Sequence, residues 1–229
     1  FMKKTNVTES HTDKMGLRIA IIGAGFSGIG MAIRLKESGY RNFTIFERSD
    51  NVGGTWRDNT YPGCACDVAS HLYSFSFEKK SDWTSVFSDA SEIYQYLLSC
   101  VEKFKLENHL KLNTTVSEMR FDSSANEWAI STASGEIFHV DMIINGTGPL
   151  NKPNIPKIPG IENFTGKIFH SSKWDHEHQL DGRNVACIGT GASAIQFIPE
   201  IVNRVGSLKV FQRTPTWLVP RFNRHYSYL

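Results

Sequence analysis

Apolar residues along this chain occur either in short unbroken runs or in stripes with helical spacing. Residues 17–23, LRIAIIG, form an almost wholly apolar run rich in isoleucine, which is typical of a strand buried in a parallel sheet. Residues 26–37 follow with apolar positions three and four apart, so the pattern predicts a helix that stops before Gly39. A second strand is predicted over residues 43–47, FTIFE. Together these elements predict a right-handed β-α-β unit.

The same order of elements returns near the end of the chain. A buried strand is predicted over residues 183–189, a helix over 191–202 and a second strand over 207–213. Two such units predict an α/β fold with two Rossmann-like dinucleotide-binding units, each built on a parallel sheet.

The stretch between the two units predicts further elements of both kinds. Residues 49–70 are rich in Gly, Asp, Asn and Pro without periodicity, and a loop of this length is usually functional. An amphipathic helix is predicted over residues 91–104. Short strands are predicted over 110–116, 118–122 and 127–133, forming a β-meander with a turn at 123–126, and a further strand over 139–148 ends in a glycine turn.

Composition and charge exclude several classes of function. The 25 basic and 23 acidic residues are interspersed, so a nucleic-acid partner is not expected. The chain has no apolar run of 18 residues, so no membrane span is expected. Four scattered cysteines are too few for a disulfide framework, which favours free thiols and a cytoplasmic location. The polar residues 1–16 carry no secretory signal and predict a flexible N-terminus.

A glycine-rich turn joins strand to helix in each β-α-β unit. The first glycine of such a turn permits a tight bend, the second lets a pyrophosphate approach the backbone, and the third keeps helix and strand close. The phosphate would lie on the N-terminus of the helix. The predicted nucleotide-binding residues are Gly23, Gly25, Phe26, Ser27 and Gly28 in the first unit, and Gly189, Thr190, Gly191, Ala192, Ser193 and Ala194 in the second.

The end of each second strand indicates which nucleotide is bound. Glu47 lies 24 residues after Gly23, and Arg213 lies 24 residues after Gly189, so we predict that they occupy the same structural position. A carboxylate accepts hydrogen bonds from ribose hydroxyls, whereas a guanidinium pairs with a 2′-phosphate. The first site is therefore predicted to take FAD or NAD and the second NADP, although Arg213 could also be an ordinary surface arginine.

Several motifs lie outside or overlap the two glycine-rich turns. They are GAGFSG at 23–28, GGTW at 53–56, YPG at 61–63 followed by Asp67, NGTG at 145–148 and FQRTP at 211–215. The most specific stretch is FTGKIFHSSKWD at 164–175, with Phe, Gly, His and Trp-Asp at the offsets F-x-G-x-x-x-H-x-x-x-W-P/D. With these motifs the chain resembles, from about residue 17 to its end, the class B flavoprotein monooxygenases and, within them, the Baeyer–Villiger monooxygenases, whose fingerprint the stretch 164–175 matches at every position.

This resemblance implies a division into segments and an incomplete chain. Residues 17–149 would be the first segment of an FAD-binding domain and residues 150–216 the first segment of an NADP-binding domain, with residues 217–229 starting a following segment. Since family members are roughly twice this long or more, the chain is expected to be an N-terminal half whose missing half is a possible partner.

The implied activity is FAD- and NADPH-dependent insertion of one oxygen atom of O₂ into a ketone, which gives an ester or lactone. By matched position, Glu47 would hold the FAD ribose, and Arg213 and Thr214 would bind the NADP 2′-phosphate. The stretch from Thr190 to Gln196, which extends the glycine turn by Ile195 and Gln196, would cradle the NADP pyrophosphate. The remaining residues implied to contact FAD are Thr55, Trp56, Tyr73 and Val116, the last through its backbone.

Asp67 is the implied supporting residue of the reaction. In the family the matching aspartate lies beside the flavin and supports an arginine that stabilises the oxygenated cofactor. That arginine belongs to a later part of the family chain, and Arg221 and Arg224 match no motif of it. The isolated chain is therefore expected to be inactive.

The fingerprint segment is implied to couple the two domains. Gly166 would supply a hinge, and His170 and Trp174 would dock the linker. A metal site is not expected, because the spacing of His170, His176 and His178 fits no common zinc pattern.

Three other functions share parts of this pattern. A disulfide reductase would need a wider cysteine spacing than that of Cys64 and Cys66. An N-hydroxylating or sulfur-oxidising flavin monooxygenase differs from the main hypothesis only in its products. A non-catalytic nucleotide-binding fragment is the third alternative.

Overall fold

The computed structural model describes residues 16–227, so the predicted flexible N-terminus over residues 1–16 lies, except for Gly16, outside the described residues. In chain order the strands and helices are β1 (Ile19–Ile22), α1 (Phe26–Glu37), β2 (Phe43–Phe46), α2 (Thr55–Asp58), α3 (Ala90–Lys103), β3 (Leu110–Lys111), β4 (Val116–Asp122), β5 (Glu127–Thr132), β6 (Ile137–Val140), β7 (Met142–Asn145), β8 (Asn184–Ile188), α4 (Ala192–Ile201) and β9 (Ser207–Phe211). Both predicted β-α-β units are confirmed to within two residues at each end.

The chain divides into two compact units. The first contains the residues up to Val52 together with Val101–Gly148, and the second contains Gly53–Cys100 together with Pro149–Leu229. The predicted segment 17–149 is therefore divided between them, and the assignment of domains stays a prediction.

A parallel sheet forms the first unit, with strand order β3-β2-β1-β7. Central strand β1 is buried along its whole length because β2 and β7 flank it, pairing Ile19 with Phe43 and with Met142. Helix α1 buries Gly28, Ile29, Ala32 and Ile33, the stripe that its spacing predicts.

An antiparallel sheet of β4, β5 and β6 completes the first unit, and it corrects two strand predictions. The predicted strand 110–116 supplies Leu110–Lys111 to the parallel sheet and is not the first strand of the meander. The predicted strand 139–148 is two strands, β6 and β7, in different sheets. The chain changes direction between these strands at Asp141. The Asp141 backbone N–H donates to the Arg18 carbonyl at 2.9 Å, and its carboxylate accepts from the Arg18 guanidinium.

The second unit contains a two-stranded parallel sheet, in which Asn184 pairs with Ser207 and Ile188 with Phe211. One buried cluster of this unit consists of Tyr61, Cys187, Ala194, Phe197 and Ile201, with Trp174 packed against them. The predicted helix 91–104 is confirmed as α3, where the Asp89 carboxylate accepts from the Glu92 N–H at 2.8 Å.

The segment 49–70 was predicted as a loop, and it contains the single helical turn α2. Gly53 and Gly54, with φ angles of 118° and 52°, precede that turn, and their carbonyls accept from the N–H groups of Trp56 and Arg57. So short a turn has no apolar periodicity by which it could be predicted. Within residues 16–227, no helix has the length and apolar character needed to cross a membrane.

Candidate functional site

The first glycine turn is held by close backbone packing. Gly23 has a φ of 98°, and its N–H donates to the Phe46 carbonyl at 2.8 Å. A Cβ on Gly28 would lie 1.8 Å from the Gly23 carbonyl oxygen, and a Cβ on Gly146 would lie 3.1 Å from the Gly28 nitrogen. The three glycines therefore allow a helix start, a strand end and a second turn to meet at distances that no side chain permits.

The start of α1 suits an anion. Gly25 is the N-cap, no side chain caps the helix, and its first turn carries no acidic residue. The first backbone N–H groups of a helix have no intrahelical acceptor, and the helix dipole adds positive potential there. The predicted residues Phe26, Ser27 and Gly28 form this first turn, as a phosphate-binding helix start requires.

Glu47 follows β2 and is buried, with 5% of its surface exposed. Its carboxylate accepts from the Ala24 N–H at 2.9 Å and from the Ser49 N–H at 3.1 Å. A carboxylate accepts about four hydrogen bonds, so these two are compatible with a ribose contact. The Thr114 N–H donates to the Glu47 carbonyl at 2.8 Å, and Val116 follows Thr114 by two residues. The first unit thus contains seven of the predicted cofactor-binding residues.

The second glycine turn repeats the first. Gly189 has a φ of 102°, its N–H donates to the Phe211 carbonyl at 2.9 Å, and Gly191 is the N-cap of α4. Again no side chain caps the helix and the first turn has no acidic residue. A Cβ on Gly191 would meet nothing within 4 Å, so the space in front of this turn is open. Ala194, buried in the core of the second unit, takes the place of Gly28.

The strand register corrects the predicted equivalence of Glu47 and Arg213. β1 and β2 pair Ile22 with Phe46, whereas β8 and β9 pair Ile188 with Phe211, one residue less along the chain. The residue that follows β9 directly is Gln212. Its amide donates to the Thr190 hydroxyl at 2.9 Å, so it bonds the residue after the first glycine, as Glu47 does by accepting from the Ala24 backbone N–H. Gln212 therefore occupies the position of Glu47, and Arg213 lies one residue further.

An open groove of about 460 Å³ lies in front of the second turn. Five predicted NADP-binding residues line it: Gly189, Thr190, Gly191, Arg213 and Thr214. Pro156 and Ile158, from the preceding connection, add apolar surface on which a planar base could lie. The groove thus brings a phosphate-binding turn, a guanidinium and an apolar wall together.

The remaining residues implied to contact FAD lie in the second unit. Thr55 begins α2, and the Trp56 indole N–H donates to the Tyr73 hydroxyl at 3.1 Å, with the rings edge to face at 5.3 Å. Burial raises the pKa of Tyr73, which keeps its hydroxyl neutral. Trp56 and Tyr73 therefore form one fixed aromatic pair.

Asp67 is exposed at the end of the YPG loop, next to the buried Cys66. Arg221 donates to the Cys66 carbonyl at 3.3 Å, so a guanidinium comes close to this loop although no sequence motif indicated it. Burial raises the pKa of the Cys64 and Cys66 thiols, which disfavours the thiolate that a disulfide reductase would need.

The predicted residues of the fingerprint segment make contacts within the second unit, and their role in coupling domains stays a prediction. His170 caps a short 3₁₀ helix, its ring Nδ1 accepting from the Ser172 N–H at 3.1 Å. Trp174 packs against Phe197 of α4 with ring centroids 5.1 Å apart. A Cβ on Gly166 would lie 2.5 Å from the end of the exposed Phe164 ring, which would have to move aside. Among residues 16–227 no three His, Cys, Asp or Glu side chains are grouped to hold a metal ion.

Gln196 departs from its predicted place on the pyrophosphate. It lies one turn into α4, and its amide bonds the Tyr61 hydroxyl at 3.0 Å and both backbone groups of Ala65. Sequence reasoning missed this role, because Ala65 lies 131 residues away along the chain.

Comparisons with known proteins agree with this geometry. The profile of the flavin-binding monooxygenase-like family matches residues 16–228. A Baeyer–Villiger monooxygenase of Pseudomonas aeruginosa is 50% identical over 92% of this chain, and one of Streptomyces coelicolor is 48% identical over 92%. The NADP⁺-bound structure of cyclohexanone monooxygenase from Rhodococcus is 35% identical, with a TM-score of 0.86 over 92% of this chain and 40% of its own. The chain spans about 40% of the length of the two curated relatives.

Proposed function

Since the chain belongs to the flavin-binding monooxygenase-like family, we propose that it forms the nucleotide-binding part of an FAD- and NADPH-dependent Baeyer–Villiger monooxygenase. One observation carries the proposal: two glycine turns of the same geometry end in different polar groups. The first is closed by the buried carboxylate of Glu47, and the second opens into a groove that contains the guanidinium of Arg213.

The reaction of the whole protein would consume a ketone, O₂, NADPH and a proton, and would yield an ester or lactone, NADP⁺ and water. One oxygen atom enters the carbon–carbon bond beside the carbonyl, and the other leaves as water. Structures of cyclohexanone monooxygenase with cyclohexanone and with ε-caprolactone support a ketone substrate class. FAD, when bound, supplies the activation of O₂, and the protein binds, orients and shields the reactants.

For the FAD site, the uncapped start of α1 would bind the pyrophosphate through its backbone N–H groups. Glu47 would accept from the ribose hydroxyls while holding the glycine turn through Ala24. Trp56 and Tyr73, with Thr55, would present their fixed ring pair to the cofactor, and Val116 would contact the adenine through its backbone.

For the NADP site, the turn from Gly189 to Ala192 would bind the pyrophosphate. Arg213 and Thr214 would bind the 2′-phosphate, which distinguishes NADPH from NADH. Gln212 would hold the turn through Thr190, as Glu47 holds the first one.

Asp67 would act as a positioning residue. Its carboxylate would orient a guanidinium supplied from a later part of the whole protein, and it would offset the cost of that charge in a poorly solvated site. That later part is therefore a proposed partner of this chain, beside the ketone and O₂. We also propose a cytoplasmic location, which the free state of Cys64, Cys66, Cys100 and Cys187 supports.

Calorimetric titration of the chain with NADP⁺ and with NAD⁺ tests the NADP site. We expect NADP⁺ to bind about 10- to 100-fold more tightly, because a charge-assisted contact to the 2′-phosphate is worth about 1.5–3 kcal/mol. Arg213→Gln should remove that preference and leave NAD⁺ affinity unchanged, whereas Arg183→Gln, an exposed arginine outside the groove, should keep it. Equal affinities for both nucleotides in the wild type would refute the assignment.

A further inference from the structure

The loop that precedes Asp67 has one edge in a short antiparallel pairing. Ala65 forms a bridge with Asp89, the Cys66 N–H donates to the Ser88 carbonyl at 2.9 Å, and the Ala90 N–H donates to the Cys64 carbonyl at 2.9 Å. In antiparallel pairing, alternate residues direct their backbone groups to opposite edges. The groups of Cys64 and Cys66 therefore face the 88–90 segment, and those of Ala65 face away from it.

The Gln196 side chain bonds the backbone groups on the other edge, those of Ala65. Its Oε1 accepts from the Ala65 N–H at 3.3 Å, and its Nε2 donates to the Ala65 carbonyl at 2.9 Å. A carboxamide presents one acceptor and one donor group, as the backbone of a neighbouring strand would. The Tyr61 hydroxyl donates to the same Oε1 at 3.0 Å, so both ends of the amide are engaged by the loop.

The loop lies directly on α4. Gly63 has a φ of 74°, and a Cβ there would be 2.9 Å from the backbone carbonyl oxygen of Gln196. Tyr61 is buried and packs edge to face on Phe197 with ring centroids 6.2 Å apart. So close an approach of backbone to helix leaves no room for the loop to shift independently of α4.

The fingerprint segment reaches the same junction. Trp174 packs on Phe197, and directly after the segment the His176 ring Nε2 lies 2.8 Å from the Thr60 hydroxyl, one residue before Tyr61. The Phe197 side chain of α4 therefore contacts both the fingerprint segment and the loop.

We propose that Gln196 is a positioning residue that ties the Asp67 loop to the nucleotide-binding helix, so that binding at the Gly189–Ala192 turn fixes the position of Asp67. This inference rests on the proposed NADP site. Helix α4 begins at that turn and carries Gln196 on its second turn, and Asp67 lies two residues beyond Ala65, within about 7 Å along the chain. Nucleotide binding thus makes openings of the loop away from α4, which would displace Asp67, less frequent.

Hydrogen–deuterium exchange of the 229-residue chain, with and without saturating NADP⁺, tests the inference. Peptides covering residues 61–68 should exchange about tenfold more slowly with NADP⁺, the factor that one well-made hydrogen bond corresponds to. Gln196→Leu should abolish that slowing. Its Kd for NADP⁺ should rise by no more than about the same factor of ten, because the coupling between loop and nucleotide is reciprocal.

Two further variants make the result decisive. Gln179→Leu, the same change at an exposed glutamine of the same unit, should retain the full slowing. Gln196→Glu is nearly isosteric and keeps the acceptor while losing the donor to the Ala65 carbonyl. It should lose most of the slowing even if Gln196→Leu does not fold.

The possible outcomes separate the two proposals. A wild-type chain that binds no NADP⁺ in the calorimeter overturns the proposed NADP site and the inference together. If the wild type binds NADP⁺ but exchange over residues 61–68 is unchanged, only the inference fails. It also fails if a folded Gln196→Leu or Gln196→Glu keeps the full slowing, since direct contact between nucleotide and loop would then suffice.

Discussion

Replacing Gly28 by alanine tests the close packing of the first glycine turn. The new Cβ would lie 1.8 Å from the Gly23 carbonyl oxygen, and real contacts of this kind are essentially never below 3.0 Å. Because the obstructing atom belongs to the backbone, it cannot rotate away as a flexible side chain would. Either the start of α1 must move from β1, or the Gly23 turn must distort.

The expected cost follows from two opposing terms. Overpacking a tight site costs about 3 kcal/mol at the upper end of the usual range, while alanine gains about 1 kcal/mol over glycine inside a helix. The net loss of about 2 kcal/mol should lower the melting temperature by roughly 6 °C for a chain of this size.

Thermal unfolding followed by circular dichroism measures this loss, with Gly30→Ala on the same helix as the matched control. Gly30 is not among the buried residues of α1, so its replacement should leave the melting temperature unchanged or raise it slightly. A Gly28→Ala protein as stable as the wild type would refute the packing argument.

Three further predictions address other parts of the molecule. Gly191→Ala should leave the melting temperature within about 1 °C, since φ is −75° and nothing lies within 4 Å, yet weaken NADP⁺ binding at least about tenfold by filling the phosphate approach; unchanged affinity in calorimetry would contradict it. Trp174→Ala should lower the free energy of unfolding by roughly 2 kcal/mol in denaturant titration, because it removes a partly buried indole that packs on Phe197. Phe169→Ala, which removes another ring in contact with Trp174, serves as the comparison. The hydrogen-bonded Arg18 guanidinium lowers the pKa of the Asp141 carboxyl below its usual value, so the stabilisation is present above the unfolded-state pKa and is lost as pH falls through the lower, folded-state pKa. The difference in melting temperature between wild type and Arg18→Met should therefore shrink between pH 6 and pH 3, and a constant difference would contradict the ion pair.

The elements that the sequence predicts well are those whose signal is local. The apolar run of β1 and the stripe of α1 reflect burial in the sheet itself, so both are found at their predicted places. The broken strand at Asp141 was missed, since its cause is a bond to Arg18, 123 residues away.

The site shows the same limit. Counting residues from the first glycine placed Arg213 opposite Glu47, but the second unit reaches its paired strand one residue sooner, which puts Gln212 there. The glycine turns follow from local sequence, whereas the contacts of Gln196 with Tyr61 and Ala65 depend on how distant segments pack. Residues whose role depends on the backbone alone were therefore easier to predict than residues whose side chains bond groups far away along the chain.

Native mass spectrometry of the chain with FAD and NADP⁺ together tests whether the chain has two different nucleotide sites. We predict a complex containing one FAD and one NADP⁺ per chain, with NADP⁺ lost selectively in Arg213→Gln and FAD lost selectively when Glu47 is replaced by alanine. Competition of the two nucleotides for one site, so that no chain carries both, would contradict it.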